Sequence, residues 1–185
     1  MTGQSADSSL LPYEGERVRL RDVRLEDADL IDQWNAALEP GSFNDFGARA
    51  PTDRDALTRG PLRNDHNGLL IIERIEDGLP VGTIAFRKTG YGPPPHSDAW
   101  QLGIDLPLET RGHGYGTEAQ RLLADWLFAT TPVNRVEAAT DIDNVAEQRS
   151  LEKAGYVRDG VMRGAQFRAG AYHDLVYYSR LRADP

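Results

Sequence analysis

The sequence predicts an α+β chain whose mostly antiparallel sheet is interrupted by helix crossovers. Three observations carry that expectation. Strand-like runs outnumber helical stripes and fall in adjacent pairs, at 68–76 with 81–88 and at 156–162 with 172–181. The first pair is joined by Glu76-Asp77-Gly78-Leu79-Pro80, with Asp-Gly at its centre, which is hairpin chemistry. Helical stripes break the strand pattern at only a few places, and one begins directly after a glycine-rich loop.

Taken in order, Arg17-Val18-Arg19-Leu20-Arg21-Asp22-Val23 alternates polar and apolar, as a strand with one buried face does. Residues 27–38 place Leu30, Ile31, Trp34 and Leu38 at helical spacing, and Glu39-Pro40-Gly41 stops that helix. Residues 40–52 read as loop and 53–62 as a short helix. Leu69-Leu70-Ile71-Ile72 is a core-strand run, and 81–88 returns beside it. Gly90-Tyr91-Gly92-Pro93-Pro94-Pro95 cannot pair in a sheet, because proline has no N–H to donate. Residues 99–106 form the next strand. Beyond the glycine loop, Ala119, Leu122, Leu123, Trp126 and Leu127 share one helical face, and Pro132 ends the element. Val136, Ala138 and Thr140 alternate along 134–140. Asp143-Asn144 starts a helix, and Gly155 stops it after Leu151 and Ala154. Residues 156–162 and 172–181 make a final antiparallel pair. Residues 1–12 are small and polar and read as a flexible tail, leaving 13–185 as a single domain.

Composition narrows the function. With 185 residues the chain suits one domain with a proper core. No apolar run approaches the ~20 residues of a membrane helix, and residues 1–12 lack the basic start and apolar stretch of a signal peptide. A cytoplasmic location away from membranes is therefore expected. The absence of cysteine excludes disulfides, thiolate metal sites and a cysteine nucleophile, and no metal is expected. A net charge of −8 argues against nucleic acid as a partner. It suits a cationic amine substrate, and equally a surface that is merely soluble.

The segment Arg111-Gly112-His113-Gly114-Tyr115-Gly116-Thr117 carries the chemistry. A glycine-rich turn running into a helix exposes backbone N–H groups that have no intrahelical partner. With the positive end of the helix dipole they form an anion site. Glycines let the backbone approach the ligand, and Arg111 adds a fixed charge. A pyrophosphate is the natural ligand. The spacing is not the G-x-G-x-x-G of a dinucleotide fold, and no Gly-Lys-Ser/Thr follows as in a phosphate-binding NTPase loop. On its own, the loop could also be a flexible turn.

Arg111, Gly114 and Gly116 resemble the Arg/Gln-x-x-Gly-x-Gly/Ala acetyl-CoA motif of the GNAT superfamily. The extended segment through Glu118-Ala119 is similar to the branch holding the ribosomal-protein N-terminal acetyltransferases. Asp143-Asn144, Leu151-Glu152-Lys153-Ala154-Gly155-Tyr156 and Asp159-Gly160-Val161-Met162-Arg163 follow that branch in order and spacing. Tyr172-His173-Asp174-Leu175-Val176-Tyr177-Tyr178-Ser179 resembles its closing strand. The resemblance spans about residues 15–182.

It implies a GNAT-like mixed sheet with helices on both faces and a splayed acetyl-CoA cleft. Backbone groups of Leu102, Ile104 and Leu106 would bond the pantetheine amides, with an N–H near Ile104 as oxyanion donor. Arg111, Gly112, His113, Gly114, Tyr115, Gly116 and Thr117 would hold the pyrophosphate. Asn144 would contact the pantetheine or simply cap its helix, and Lys153 would reach the nucleotide end or simply stay in solvent. The implied reaction is direct acetyl transfer from acetyl-CoA to an amine. The acceptor would be a peptide N-terminus, or alternatively a small molecule such as an antibiotic or polyamine; a non-catalytic acyl-CoA sensor is a further reading. Dimers are common in that superfamily, so a homodimer is an expectation by analogy.

The acid–base positions depart from the family pattern. Where many relatives carry Ser three residues after the asparagine, this chain has Glu147; where others carry Tyr, it has Leu151. Ser150 and Tyr156 are nearby hydroxyls, and Gln166 stands in the region where some relatives have a glutamate base. Candidate catalytic residues are therefore Asp45, within Phe43-Asn44-Asp45-Phe46-Gly47, together with Asn144 and Glu147; Glu137 and Asp141 are further carboxylates. Asp45 could equally be an Asx-turn residue. His173 and Asp174, being adjacent on a strand, are expected to face opposite ways.

Overall fold

The computed structural model describes residues 11–45, 47 and 49–185. The expected tail therefore lies almost wholly outside the described residues, as does Phe46. Eight strands form one sheet in the order β1-β2-β3-β4-β5-β6-β8-β7. They are β1 (Tyr13–Glu14), β2 (Val18–Asp22), β3 (Asn67–Arg74), β4 (Pro80–Gly90), β5 (Asp98–Asp105), β6 (Arg135–Asp141), β7 (Val157–Arg168) and β8 (Ala171–Leu181). Every pairing is antiparallel except β5 with β6. The helices are α1 (Ala28–Ala36), α2 (Arg54–Arg59), α3 (Tyr115–Thr130) and α4 (Val145–Lys153). Strand alternation splits the sheet's side chains into two layers. Leu70 and Ile72 join the main core under α3 and α4, whereas Ile71 packs with Val23 and Ile31 on the opposite face, near α1 and α2.

The architecture agrees with the expected α+β class, and the boundaries differ in instructive ways. β1 was not expected, because two residues carry no periodicity; it exists only by pairing Tyr13 with Leu20. α1 ends at Ala36 rather than Leu38, and α3 starts at Tyr115, inside the glycine motif rather than after it. The largest difference is β7. It continues from Met162 to Arg168 past a register shift between Met162 and Gln166, and turns at Ala169 and Gly170, both at positive φ.

A buried ion cluster ties β2 to β3. Arg21, 5% exposed, makes a bidentate pair with Asp27 at 2.7 and 2.9 Å and also holds Glu73. Burial alone would raise the Asp27 carboxyl. The Arg21 guanidinium and the Arg24 N–H overcome it and hold the group below the usual carboxylate range.

Candidate active site

β5 and β6 pair through only three residue couples, Trp100 with Val136, Gln101 with Glu137 and Leu102 with Ala138. β5 continues to Asp105 and β6 to Asp141, so beyond that short ladder the two strands separate. The gap is a cleft of about 1520 Å³. Its walls include Leu102, Gly103 and Ile104 on one side and Ala138, Ala139 and Thr140 on the other. Glycine loop, α4 and the loop after α1 close its ends.

The glycine loop forms the mouth. Gly112 and Gly114 have φ of 80° and 82°, the left-handed region that glycine occupies without strain. The first helical bond of α3 runs from Glu118 N–H to Gly114 C=O at 3.1 Å, so the N–H groups just before it have no intrahelical partner. A Cβ on Gly114 would lie 2.7 Å from Arg17 Nη1, and one on Gly116 would lie 3.1 Å from Leu106 Cδ1. The loop is thus packed where glycine is required. Arg111 uses Nε to hold the Leu106 carbonyl at 2.8 Å, leaving its other guanidinium nitrogens for an anion. His113 and Tyr115 stack their rings 5.4 Å apart. Lys153 also lines the cleft.

Three cations that sequence reasoning missed join this rim: Arg17, Arg121 and Arg149. Arg17 donates to the His113 carbonyl at 3.3 Å from the start of the chain, a contact no local pattern announces. A chain of net charge −8 therefore gathers exposed arginines and a lysine at one mouth, which suits a polyphosphate ligand.

Inside the mouth runs a polar relay between α3 and α4. Thr117 Oγ1 and Ser150 Oγ are 2.9 Å apart, and Ser150 Oγ donates to Gln120 Oε1 at 3.1 Å. Gln120 is fully buried, and its Nε2 donates to the Glu147 carboxylate. Glu147 lines the cleft. Burial pushes its carboxyl up to about 7, against the smaller downward pull of the Gln120 N–H. A carboxyl poised there can both give and take a proton near neutral pH. Gln120 was legible only as a polar residue next to an apolar stripe; its role needs α4 in place.

Asn144 lines the cleft and caps α4. Its Oδ1 accepts from Glu147 N–H at 3.3 Å, and its Nδ2 donates to Thr140 Oγ1 at 3.0 Å. It therefore orients the turn that carries Glu147. On the β5 edge, Leu102 is still within the ladder, the Ile104 carbonyl accepts from Asn44 Nδ2 at 3.3 Å, and the Leu106 carbonyl is held by Arg111. Asp105 binds Arg49 at 2.8 Å and also Asn44, so the loop after α1 is pinned to the end of β5.

Asp45 needs correction as a catalytic candidate. Its carboxylate accepts from Gly41 N–H at 2.7 Å and Gly47 N–H at 3.1 Å, an Asx-type turn, and it is not among the residues that line the cleft. Those backbone donors hold it below the usual range, which makes it a poor base. Glu137 is bound by Tyr91 and Arg135, and Asp141 by Arg168, with His173 Nδ1 at 3.3 Å. Asp174 instead accepts from Gly164 N–H at 2.7 Å, so the adjacent His173 and Asp174 serve different partners. Tyr156 is buried, with its hydroxyl on the Gln120 carbonyl at 3.3 Å.

The acetyltransferase (GNAT) domain family model matches residues 17–157. The chain belongs to the GNAT acetyltransferase family. It is an acyltransferase of the N-acetyltransferase type. An uncharacterized N-acetyltransferase, p20, of Bacillus licheniformis is 24% identical over 174 residues, covering 91% of this chain and 95% of that protein. Among solved structures, a ribosomal-protein-S5-alanine acetyltransferase from Vibrio fischeri superposes with a TM-score of 0.75 at 19% identity, covering 93% of this chain and 97% of that one. A spermidine N-acetyltransferase SpeG chimera from Vibrio cholerae and hSSAT superposes with a TM-score of 0.70 at 17% identity, covering 90% and 96%. At such identities the superpositions establish the GNAT fold.

Proposed function

We propose that this GNAT enzyme transfers an acetyl group from acetyl-CoA directly to an amine, and that a peptide or protein α-amine is its acceptor. The observation that carries the reading is the β5–β6 split, with the glycine loop at its mouth and Glu147 inside it.

Bound acetyl-CoA would supply the acetyl group already activated as a thioester. Arg111, Gly112, His113, Gly114, Tyr115, Gly116 and Thr117 hold the pyrophosphate, and Lys153 with Arg17, Arg121 and Arg149 serves the nucleotide end. The β5 edge at Leu102, Ile104 and Leu106 would take the pantetheine amides, with the Ile104 and Leu106 carbonyls exchanging Asn44 and Arg111 for the ligand, and the Ile104 N–H would polarise the carbonyl. The amine nitrogen attacks the carbonyl carbon; a C–N bond forms and the C–S bond breaks. Protonated Glu147 gives its proton to the departing sulfur. It regains one through water from the nitrogen, which sheds a proton as the amide forms. Gln120 and Asn144 keep the Glu147 carboxyl in place.

The acceptor class follows from proton supply. A peptide α-amine has a pKa of about 7.7–8.0, so on the order of a tenth is neutral at pH 7, against a few parts in ten thousand for lysine at about 10.4. A carboxyl near 7 is matched to the former. The S5-alanine acetyltransferase neighbour supports the same choice, while the spermidine neighbour marks the alternative.

A thiol-release assay with acetyl-CoA decides between them. The panel is an alanyl peptide, an N-blocked lysyl peptide, spermidine and an aminoglycoside. The alanyl peptide should have the highest kcat/KM, by roughly two powers of ten over lysine at pH 7. Equal values, or preference for spermidine, would overturn the α-amine assignment. Binding of acetyl-CoA with no thiol release from any amine would overturn the enzymatic reading in favour of a sensor.

A further inference from the structure

A second cavity opens off the reaction cleft, and the reaction above makes no use of it. It holds about 170 Å³, between α1 with the loop after it and the end of β5 with the turn that follows. Ile31, 5% exposed, marks its floor, and Leu108, 67% exposed, marks its mouth. Trp34 and Leu38 complete the apolar wall. Both belong to the apolar stripe of 27–38, yet neither joins a core cluster. Large apolar side chains that face a hollow instead of the core offer a surface for an apolar group from outside.

The cavity is a branch of the cleft. Ile31, Leu38, Ser42, Thr83, Asp105 and Leu106 line both. Polar groups of the shared wall are already committed, since Arg49 binds Asn35 at 3.0 Å and Asp105 at 2.8 Å. Ser42 differs. Its Oγ is buried and has no partner among the described residues, and a hydroxyl there can turn to donate to a peptide carbonyl passing between the two spaces. Leu106 stands two strand residues beyond Ile104, about 7 Å, and in an extended peptide the second side chain starts within that distance of the α-amine. Exposed carboxylates flank the mouth, Glu39 from the loop after α1 and Glu109 from the turn after β5. Arg111 lines the same cavity with its Nε on the Leu106 carbonyl; once its other nitrogens face a pyrophosphate, the mouth is acidic.

We propose that this cavity selects the acceptor by taking an apolar side chain, of the size of leucine, from the residue after the one that carries the amine. Ser42 Oγ donates to the carbonyl between the two residues, and Glu39 with Glu109 favours a basic residue next in line. A serine or aspartate in the cavity would lose its water and find no partner on the apolar wall. The inference rests on the α-amine reading above and adds what that reading leaves open: which sequence behind the amine the enzyme prefers.

Isothermal titration of the CoA-loaded protein tests this without turnover, with the peptide amides Ala-Leu-Arg, Ala-Ser-Arg and Ala-Leu-Glu. Ala-Leu-Arg should bind about tenfold or more tightly than Ala-Ser-Arg, as burial of one leucine side chain requires. It should bind about threefold more tightly than Ala-Leu-Glu at low salt, and the difference should shrink as salt is added. Ala37 lies exposed at the end of α1 and lines the cavity, so Ala37→Trp fills the space from outside the core. That variant should lose the leucine preference and keep its CoA binding and melting temperature. Glu39→Gln with Glu109→Gln should lose the arginine preference and keep the leucine preference. Equal affinity of the wild type for the leucyl and seryl peptides, binding of neither, or a leucine preference retained by folded Ala37→Trp would overturn the cavity's role. An arginine preference retained by the double variant would overturn the part given to the carboxylates. The same peptides in the thiol-release assay keep the two readings apart. Equal kcat/KM on Ala-Leu-Arg and Ala-Ser-Arg leaves the transfer standing and refutes the cavity, whereas selective binding with no thiol released leaves the cavity standing and refutes the transfer.

Discussion

Replacing Glu147 by Gln tests the proton-handling carboxyl with little change of shape. The new amide oxygen can still accept from Gln120 Nε2, so the relay through Ser150 to Thr117 keeps its geometry. What disappears is the ionisable group. In the unfolded chain that carboxyl titrates near 4.5 and in the fold at about 7. Below pH 4.5 both states are protonated and the shift costs nothing. Between 4.5 and 7 the folded state holds a proton that the unfolded state has released, so stability falls as pH rises. Above 7 the penalty is constant. At 1.36 kcal/mol per unit it amounts to about 2–3 kcal/mol once the remaining solvent contact at the cleft is discounted. For a chain of this size that corresponds to roughly 4–12 °C of melting temperature. The assay is a set of thermal melts of wild type and Glu147→Gln from pH 4 to 9, beside the pH profile of kcat/KM. The variant should match the wild type at pH 4 and melt higher above pH 8. Its kcat should fall by about 10²–10⁴-fold, and the wild-type inflection near 7 should vanish. A melting difference independent of pH, with the inflection retained in the variant, would refute the argument.

Three further outcomes follow from the geometry. Gln120→Met removes the N–H that pulls the Glu147 carboxyl down, so the inflection in kcat/KM should move above 7, read from the same pH profile. Gly114→Ala places a Cβ at positive φ and against Arg17; it should cost about 1 kcal/mol in denaturant unfolding and weaken acetyl-CoA binding about tenfold by calorimetry. Asp27→Ala leaves Arg21 buried with Glu73 alone and should lose about 3 kcal/mol in urea unfolding at pH 7. Because Asp27 and Glu73 are both held below the usual range, that difference should be present above about pH 4.5 and shrink as pH falls through their lowered values.

The proposed donor end carries its signal locally. Three glycines and an arginine ahead of a helix are the pattern of an anion cradle before any tertiary contact forms, although alone they equally suit a flexible turn. The proton-transfer end was legible only in part. Glu147 stood out as an anomaly of type, but nothing in the sequence says that Gln120, twenty-seven residues earlier, donates to it. Asp45 was attractive as a carboxylate in a loop, and the loop's own N–H groups claim it. The far half of β7 was missed because the register shift between Met162 and Gln166 breaks the period-two alternation. That break concealed Arg168, which falls between the two expected strands and is among the most enclosed charges in the fold.

The three-couple ladder between β5 and β6 has a mechanical meaning. Apart from the two-couple β1–β2 seam at the sheet's edge, it is the narrowest seam between neighbouring strands of the sheet. A donor lying along the open part of that seam against β5, as proposed, would fill the place of the missing cross-strand rungs. The loaded protein would then be stiffer across the split than the emptied one, which is two plates joined by a short weld and the α3 crossover. Each catalytic cycle would carry the molecule through its most compliant form at the moment the thiol product departs, when the seam must also accept the next donor.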